Sequence, residues 1–391
     1  MVLRAVSPAG RAVAVVGVAA WFGGWRLGWE ELQLVAGGCL VAIVIAVLFT
    51  IGRSSLEVGI DLEPQRVTVG ESAVGRVRAS NTGARRVLGL RLEARVGTGW
   101  ASFDMPSLGA GGSWDDIFVI ETTRRCIMAV GPLTSVREDP LGLARRSVAW
   151  ADALELYVHP KITRLAGITA GWMRDLEGRP TNDLSPSDVA FHTLREYVPG
   201  DDRRHIHWRT SARLGALSGR PDHLMVRQYV DTRRSHLGLV LSTNEADYAN
   251  EDEFELAVSL IGSLGVSALL DEQTVTVTTG ARPLPAYSPT KLLDGLSGLD
   301  RTRTRADVSM LVKRSIPLVR GASIVSIVAG SPVAPRLLRS AAERFHHDVR
   351  VLAVRAVPGA DATMQTIGST TILQIGSLDD LPRVLMATVA R

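Results

Sequence analysis

The 391-residue sequence predicts a fold of α/β plus all-β class, carried behind an N-terminal transmembrane helical hairpin. Three observations predict it. Residues 34–51 form an uncharged apolar run, residues 56 to about 159 alternate apolar and polar side chains between turn signals, and from His236 onward strand-like and helix-like segments alternate. The length exceeds one ordinary domain, and 46% hydrophobic against 21% charged residues excludes a disordered chain. A net charge of +4 is too small to argue for a nucleic-acid partner, even at a pI near 9.4. The expected domains are a hairpin over 1–54, a β-sandwich over 55–160, a linker and motif region over 161–235, and an α/β domain over 236–391.

The anchor rests on LVAGGCLVAIVIAVLFTI, Leu34 to Ile51, which has the length and apolarity of a bilayer-spanning helix. The preceding run, Ala12 to Trp25, is shorter and lies between Arg11 and Arg26, with Trp21, Trp25 and Trp29 suited to a membrane interface. A secretory signal is the rival for that first run. No clear cleavage site follows it, however, and a second span comes almost at once. Spans at about 12–28 and 32–51 are therefore expected. Arg4 and Arg11 precede the first and Arg53 follows the second, so the positive-inside rule places both ends in the cytoplasm. The expected location is the cell membrane, multi-pass, with the lipid bilayer as a partner and the soluble domains cytoplasmic. Cys39 and Cys126 have neither the framework spacing of disulfides nor the neighbours of a zinc site. No cofactor is expected.

From Leu56 to about His159, short valine- and leucine-rich stretches are broken by Pro64, Gly70-Glu71 and Asn81-Thr82-Gly83. That punctuation predicts an immunoglobulin-like β-sandwich, with further strands at Asp116–Thr122, near Val130–Val136 and at Leu154–Val158. Asp139-Pro140-Leu141-Gly142-Leu143 reads as a structural corner, since proline holds Asp139 extended and Gly142 permits a tight turn.

The most informative stretch is LREYVPGDDRRHIHWRTSARLGALSGRPDHLMVRQYVD, Leu194 to Asp231. Pro199-Gly200 signals a turn, Asp201 or Asp202 would cap a short helix, and Gly215 would end it. Ile206 and Ala212 are expected to face inward, Arg209 and Arg213 to share a face, and LMVRQYV to form a strand. Three chemistries compete. His192, His205 and His207 with Asp201 are metal-ligating types, but His205 and His207 point to different sides of a helix. Arg203, Arg204, Arg209 and Arg213 could take a phosphate at a helix start. The residues favour the third, a buried network pairing Arg195, Asp201, Asp202 and Arg204 across the turn. No catalytic residue is identified.

This stretch resembles the signature of the bacterial family called domain of unknown function 58, of the form R-E-Y-x-P-G-D-x-x-R-x-I-x-W-x-x-S-A-R followed by V-R. The matching positions are Arg195, Glu196, Tyr197, Pro199, Gly200, Asp201, Arg204, Ile206, Trp208, Ser211, Ala212, Arg213, Val226 and Arg227. The likeness extends upstream to Arg124-Arg125, Gly131-Pro132 and the Asp139–Leu143 corner, and to the hairpin. Ser218 to His223 departs from the pattern as an insertion. The resemblance implies a membrane-anchored protein with a β-sandwich and a von Willebrand A-like domain, encoded beside a MoxR-type AAA+ ATPase. It names no reaction.

The C-terminal part reads as a parallel sheet with helices on both faces. Strands are expected at HLGLVLS, TVTVTTG, ASIVSIVAG, DVRVLAVRA and TTILQIG, with helices over Glu253–Leu270, Ala334–Phe345 and Leu378–Val389. The von Willebrand A-like expectation brings with it an Asp-x-Ser-x-Ser cation motif at the carboxyl edge of the first strand. Its positions here are Ser242, Asn244 and Ala246, and Ser331 and Pro332 stand where a later aspartate would be, so no metal is expected. Asp247, Glu251, Asp252 and Glu253 read as a solvated helix start.

The function expected is that of a membrane-tethered, non-enzymatic scaffold acting with a MoxR-type AAA+ ATPase in assembly or maturation of other proteins. The alternative is an enzyme or anion-binding sensor using the Arg/His/Asp cluster at 201–213. The sequence names no client and leaves homo-oligomerisation open.

Overall fold

A computed structural model describes residues 7–50, 56–165, 189–199, 201, 203–218, 224–231, 236–281, 283–368 and 370–389. The chain divides into two compact units, one of Met1–Lys161 with Leu296–Leu299, the other of Ile162–Gly295 with Asp300–Arg391.

The first unit opens with two helices, α1 (Pro8–Leu27) and α2 (Glu30–Thr50). Ser7 caps α1 by accepting from the Gly10 N–H, and Gly28, at φ +66°, ends it in the left-handed conformation that glycine adopts without strain. Small residues let the helices meet. A Cβ on Gly17 would stand 2.9 Å from the Cys39 Cβ, and one on Gly24 would stand 2.9 Å from Gln33 Cγ. Among the described helices two are long and apolar enough to cross a membrane, Glu30–Leu48 within α2 and the helix Glu251–Leu270. α1, with Arg11 and Arg26, is not one of them. Glu251–Leu270 is largely buried within the second unit.

Nine strands follow: β1 (Leu56–Glu63), β2 (Arg66–Thr68), β3 (Ser72–Asn81), β4 (Leu90–Val96), β5 (Gly99–Met105), β6 (Ser113–Glu121), β7 (Cys126–Glu138), β8 (Arg145–Ala151) and β9 (Leu154–His159). They form a β1-β3-β6 sheet and a β2-β9-β7-β4-β5 sheet, with β8 added on β7. Alternate side chains of β1 and β3 are buried, as the sequence alternation requires, and both sheets close over one core containing Ile60, Val77, Leu92, Leu133 and Leu156. Gly75 lies under the Phe118 ring of the paired strand, where a Cβ would fall 2.2 Å from the ring.

The second unit holds a two-stranded hairpin, β10 (Val189–Glu196) with β11 (Met225–Asp231), and between them helix α3 (Trp208–Ser218). Its main sheet is ordered β14-β13-β12-β15-β16-β18-β17, from β12 (His236–Leu241), β13 (Thr274–Thr278), β14 (Pro283–Leu284), β15 (Ile324–Gly330), β16 (Arg350–Ala356), β17 (Thr363–Ile367) and β18 (Thr370–Ile375). The five inner strands are parallel, and only the edge strands β14 and β17 are antiparallel. Every residue of β15 is buried, as expected of a strand covered on both faces. On one face α6 (Val308–Ser315) and α7 (Pro335–Ala342) share a core with Val240, Ile327 and Ala353. On the other, α4 (Glu251–Leu270) is close enough that a Cβ on Gly265 would meet Leu239 and Leu292 of α5 (Pro289–Ser297). A final helix, α8 (Leu381–Val389), completes the unit. Because β12 is followed first by β13 on one side and then by β15 on the other, the strand order reverses between β12 and β15. Ligands of open α/β sheets bind outside the carboxyl ends of the strands at such a point.

Candidate functional site

Two places in the second unit collect the residues that the sequence singles out. The first is the carboxyl edge of β12 and β15. Ser242 follows β12, and its Oγ donates to Asp247 Oδ2 at 2.5 Å while accepting the Asn244 N–H at 3.2 Å. Asn244 caps the short turn Glu245–Asp247, and its side-chain amide donates to the Ala306 carbonyl. Ala246 adds no side-chain oxygen. Glu253, in the first turn of α4, is 3% exposed, and its Oε2 accepts the N–H groups of Ala249 at 2.9 Å and Ser331 at 3.0 Å. Arg355 then holds the Ser331 carbonyl at 2.7 Å. The expectation that Asp247 and Glu253 belong to a solvated helix start is therefore corrected. Both are buried: Asp247 holds Ser242 within the loop after β12, and Glu253 ties that loop to Ser331 after β15, while Asp252 is exposed.

Burial is also the main reason why Asp247 is held above the ordinary aspartate range, against the lowering effect of the Ser242 hydrogen bond. A carboxyl whose folded pKa is raised takes up a proton on folding, so it adds stability as pH falls through that pKa and loses it as pH rises. Asp247→Asn, which keeps an oxygen for Ser242, is expected to be more stable than the native chain at pH 7. The difference should shrink as pH falls toward 4, and urea unfolding at several pH values measures it. Equal stability across the range would contradict the burial argument.

Beside this edge lies an open groove of about 490 Å³, lined by Asn244, Glu245, Ala246, Arg303, Thr304 and Arg305. Arg303 Nε donates to Glu245 Oε2 at 2.7 Å, which lowers the Glu245 pKa. Among the described residues, the group of His, Cys, Asp or Glu placed to share one ion is His346, His347 and Asp348, all exposed. It precedes β16 and so stands at the opposite, amino end of the sheet.

The second place is the signature hairpin. Arg195 and Asp201 form a two-pronged pair, Nη1 to Oδ2 and Nη2 to Oδ1, each 2.7 Å. Asp201 Oδ2 also accepts the Val198 N–H, and both contacts hold its carboxyl below the usual range. The expected helix start at Asp201 is not found. A 3-10 turn covers Arg203–His205, and α3 begins at Trp208, with His207 Nδ1 receiving the Thr210 N–H. Gly215 does not end the helix, which continues to Ser218.

Ile206, Val226 and Ser211 are buried, and the Ser211 Oγ donates to the His207 carbonyl while accepting the Met225 N–H, pinning α3 to β11. Ala212 faces outward, contrary to expectation. So do Arg195, Glu196, Arg203, Arg204, His205, Arg209 and Arg213, and Trp208 is 64% exposed. The Arg195–Asp201 part of the expected network exists, but on the surface, and Arg204 is not buried with it. Gly200, Asp202 and the insertion from residue 219 to His223 lie outside the described residues, as do the side chains of His192 and Arg227. Upstream, Arg125 is buried, and Gly131 takes a φ of +108° that favours glycine.

No protein-family model matches the sequence, and no curated protein matches it. Solved structures give partial likenesses. A CARDB domain from Pyrococcus furiosus is 16% identical over 27% of this chain and 88% of its own, with a TM-score of 0.21. The sporulation control protein Spo0M of Bacillus subtilis is 14% identical over 37% of this chain and 60% of its own, with a TM-score of 0.19. An alkylpurine DNA glycosylase of Pseudomonas fluorescens is 13% identical over 36% and 42%, with a TM-score of 0.21. Likenesses this low carry no argument about function.

Proposed function

We propose that the chain is a membrane-anchored, non-enzymatic interaction protein of the domain of unknown function 58 family, working with a MoxR-type AAA+ ATPase in assembly or maturation of other proteins. In this reading α1 and α2 form a transmembrane hairpin with both ends in the cytoplasm. The two β sheets are an immunoglobulin-like sandwich, and the second unit is a von Willebrand A-like domain. The observation that carries the proposal is the exposure of the signature. A motif held together by three small buried contacts displays Trp208, Arg204 and Arg213 to solvent, and tryptophan and arginine are the side chains that dominate protein–protein binding energy.

Full-length protein extracted from membranes with nucleotide present should recover a MoxR-type ATPase. Trp208→Ala with Arg213→Ala should reduce that recovery at least about tenfold while leaving thermal unfolding unchanged, because neither side chain packs in the core. Repeated absence of the ATPase with the native chain would overturn the proposal. The exposed arginines of α3 and the preceding turn favour one second reading, an anion sensor. It requires salt-dependent binding of inorganic phosphate that weakens with Arg209→Ala.

A further inference from the structure

The Asp139–Leu143 corner does more than turn the chain. It joins β7 to β8 at the foot of the helical pair, and Leu143 and Ala144 share a small apolar cluster with Ala42 and Ala46 of α2 and Val13 of α1. Ser7, the cap of α1, donates its hydroxyl to the Gly142 carbonyl at 2.6 Å and its N–H to the Leu143 carbonyl at 2.9 Å. With a rise of 1.5 Å per residue, Ala46 lies about 6 Å and Ala42 about 12 Å along α2 from its end at Thr50. Both fall inside the uncharged run Leu34–Ile51. The corner thus touches α2 at a level where its sequence is wholly apolar.

Irregular backbone is tolerated at such a level only if its polar groups are satisfied within the protein. Here they are. Asp139, 4% exposed, accepts the N–H groups of Leu141 at 3.0 Å and Ala144 at 2.5 Å through its carboxylate, and that of Gly142 at 2.9 Å through its carbonyl. The Asp139 N–H returns to the Ala144 carbonyl. Yet the side chain at the tip, Leu141, is 68% exposed. A corner whose backbone is closed on itself, seated against a membrane-length helix and presenting a leucine outward, has the features of an interfacial wedge.

We infer that the Asp139–Leu143 corner sits in the headgroup–acyl boundary of the bilayer and that Leu141 inserts into lipid, fixing the β-sheet unit against the membrane at the level of Ala42–Ala46. The occupant of this surface is lipid, by continuity with α2, and the inference rests on the anchor reading of that helix. Nitroxide labels on the full chain in phosphatidylcholine–phosphatidylglycerol vesicles test it, with Cys39 and Cys126 replaced by alanine and single cysteines at Leu141→Cys or Val44→Cys. Both native side chains point outward, so neither change disturbs a core. Collisions with oxygen should dominate over those with a water-soluble nickel chelate at both positions. Val44 in lipid with Leu141 in water would overturn the wedge and leave the anchor standing. Val44 in water would remove the anchor and the wedge together.

Discussion

Alanine at Gly330 is expected to destabilise the α/β unit by about 3 kcal/mol, the upper part of the usual range for overpacking a core. The residue ends β15 where three structural pieces meet. An added Cβ would fall 2.5 Å from the Asp247 carbonyl, 2.5 Å from Glu253 Oε2 and 2.7 Å from the Tyr248 ring. None can move freely. The Asp247 carbonyl is backbone, Tyr248 is buried with its hydroxyl on the Ser242 carbonyl, and Glu253 Oε2 is held by two N–H groups. Relief of any one contact breaks a hydrogen bond of the edge, so the loss should appear in unfolding and not be absorbed locally. Urea unfolding of the full chain, followed by circular dichroism, measures it. A change below about 0.5 kcal/mol, the scale of neutral surface substitutions, would contradict the packing described.

The second large effect is expected at Asp139. Alanine there leaves the buried Ala144 N–H and the partly buried Leu141 N–H without their acceptor, and a buried unsatisfied donor costs roughly 1–3 kcal/mol. A total of about 3 kcal/mol follows, with the loss confined to the unit that carries the helices and the β sheets. Asp139→Asn keeps one oxygen and should cost about half as much. Thermal unfolding of the two variants under one set of conditions gives the comparison. Equal losses would mean that the charge and second acceptor of the carboxylate, not the single oxygen that asparagine keeps, hold the corner.

Much of the fold was legible in the sequence because burial imposes a period on it. β1 and β3 alternate in and out along their whole lengths, and β15 is apolar but for the buried Ser326 because helices cover both its faces. The candidate sites were less legible, for a physical reason. Asp201 has the residue type and position of a helix cap, but Arg195, brought opposite it by the turn, competes for its carboxylate and wins with two short hydrogen bonds. Glu253 looks like a helix-start acid because its second partner is distant in the chain. Ser331 lies 78 positions from Glu253 and is delivered by a different strand. A signal that could have pointed there is Gly330 at the end of a largely apolar strand, since a glycine at that place marks a close approach. The exposure of Trp208 had no sequence signal at all, because a lone tryptophan reads as core by default.

α4 has one further consequence, which concerns how the protein is made. The ribosome completes α2, the other helix long and apolar enough to cross a membrane, before α4 leaves the exit tunnel. To the insertion machinery it is a second helix of sufficient length and apolarity. Ser259, Ser263 and Ser267 recur every fourth residue along it, and the last two receive the N–H groups of Thr163 and Leu165. That serine ladder gives the helix a docking line for polypeptide synthesised before it. Thr163 and Leu165 precede the helix in the chain, so the segment that meets these serines is synthesised before it, and in the folded unit most of α4 is buried.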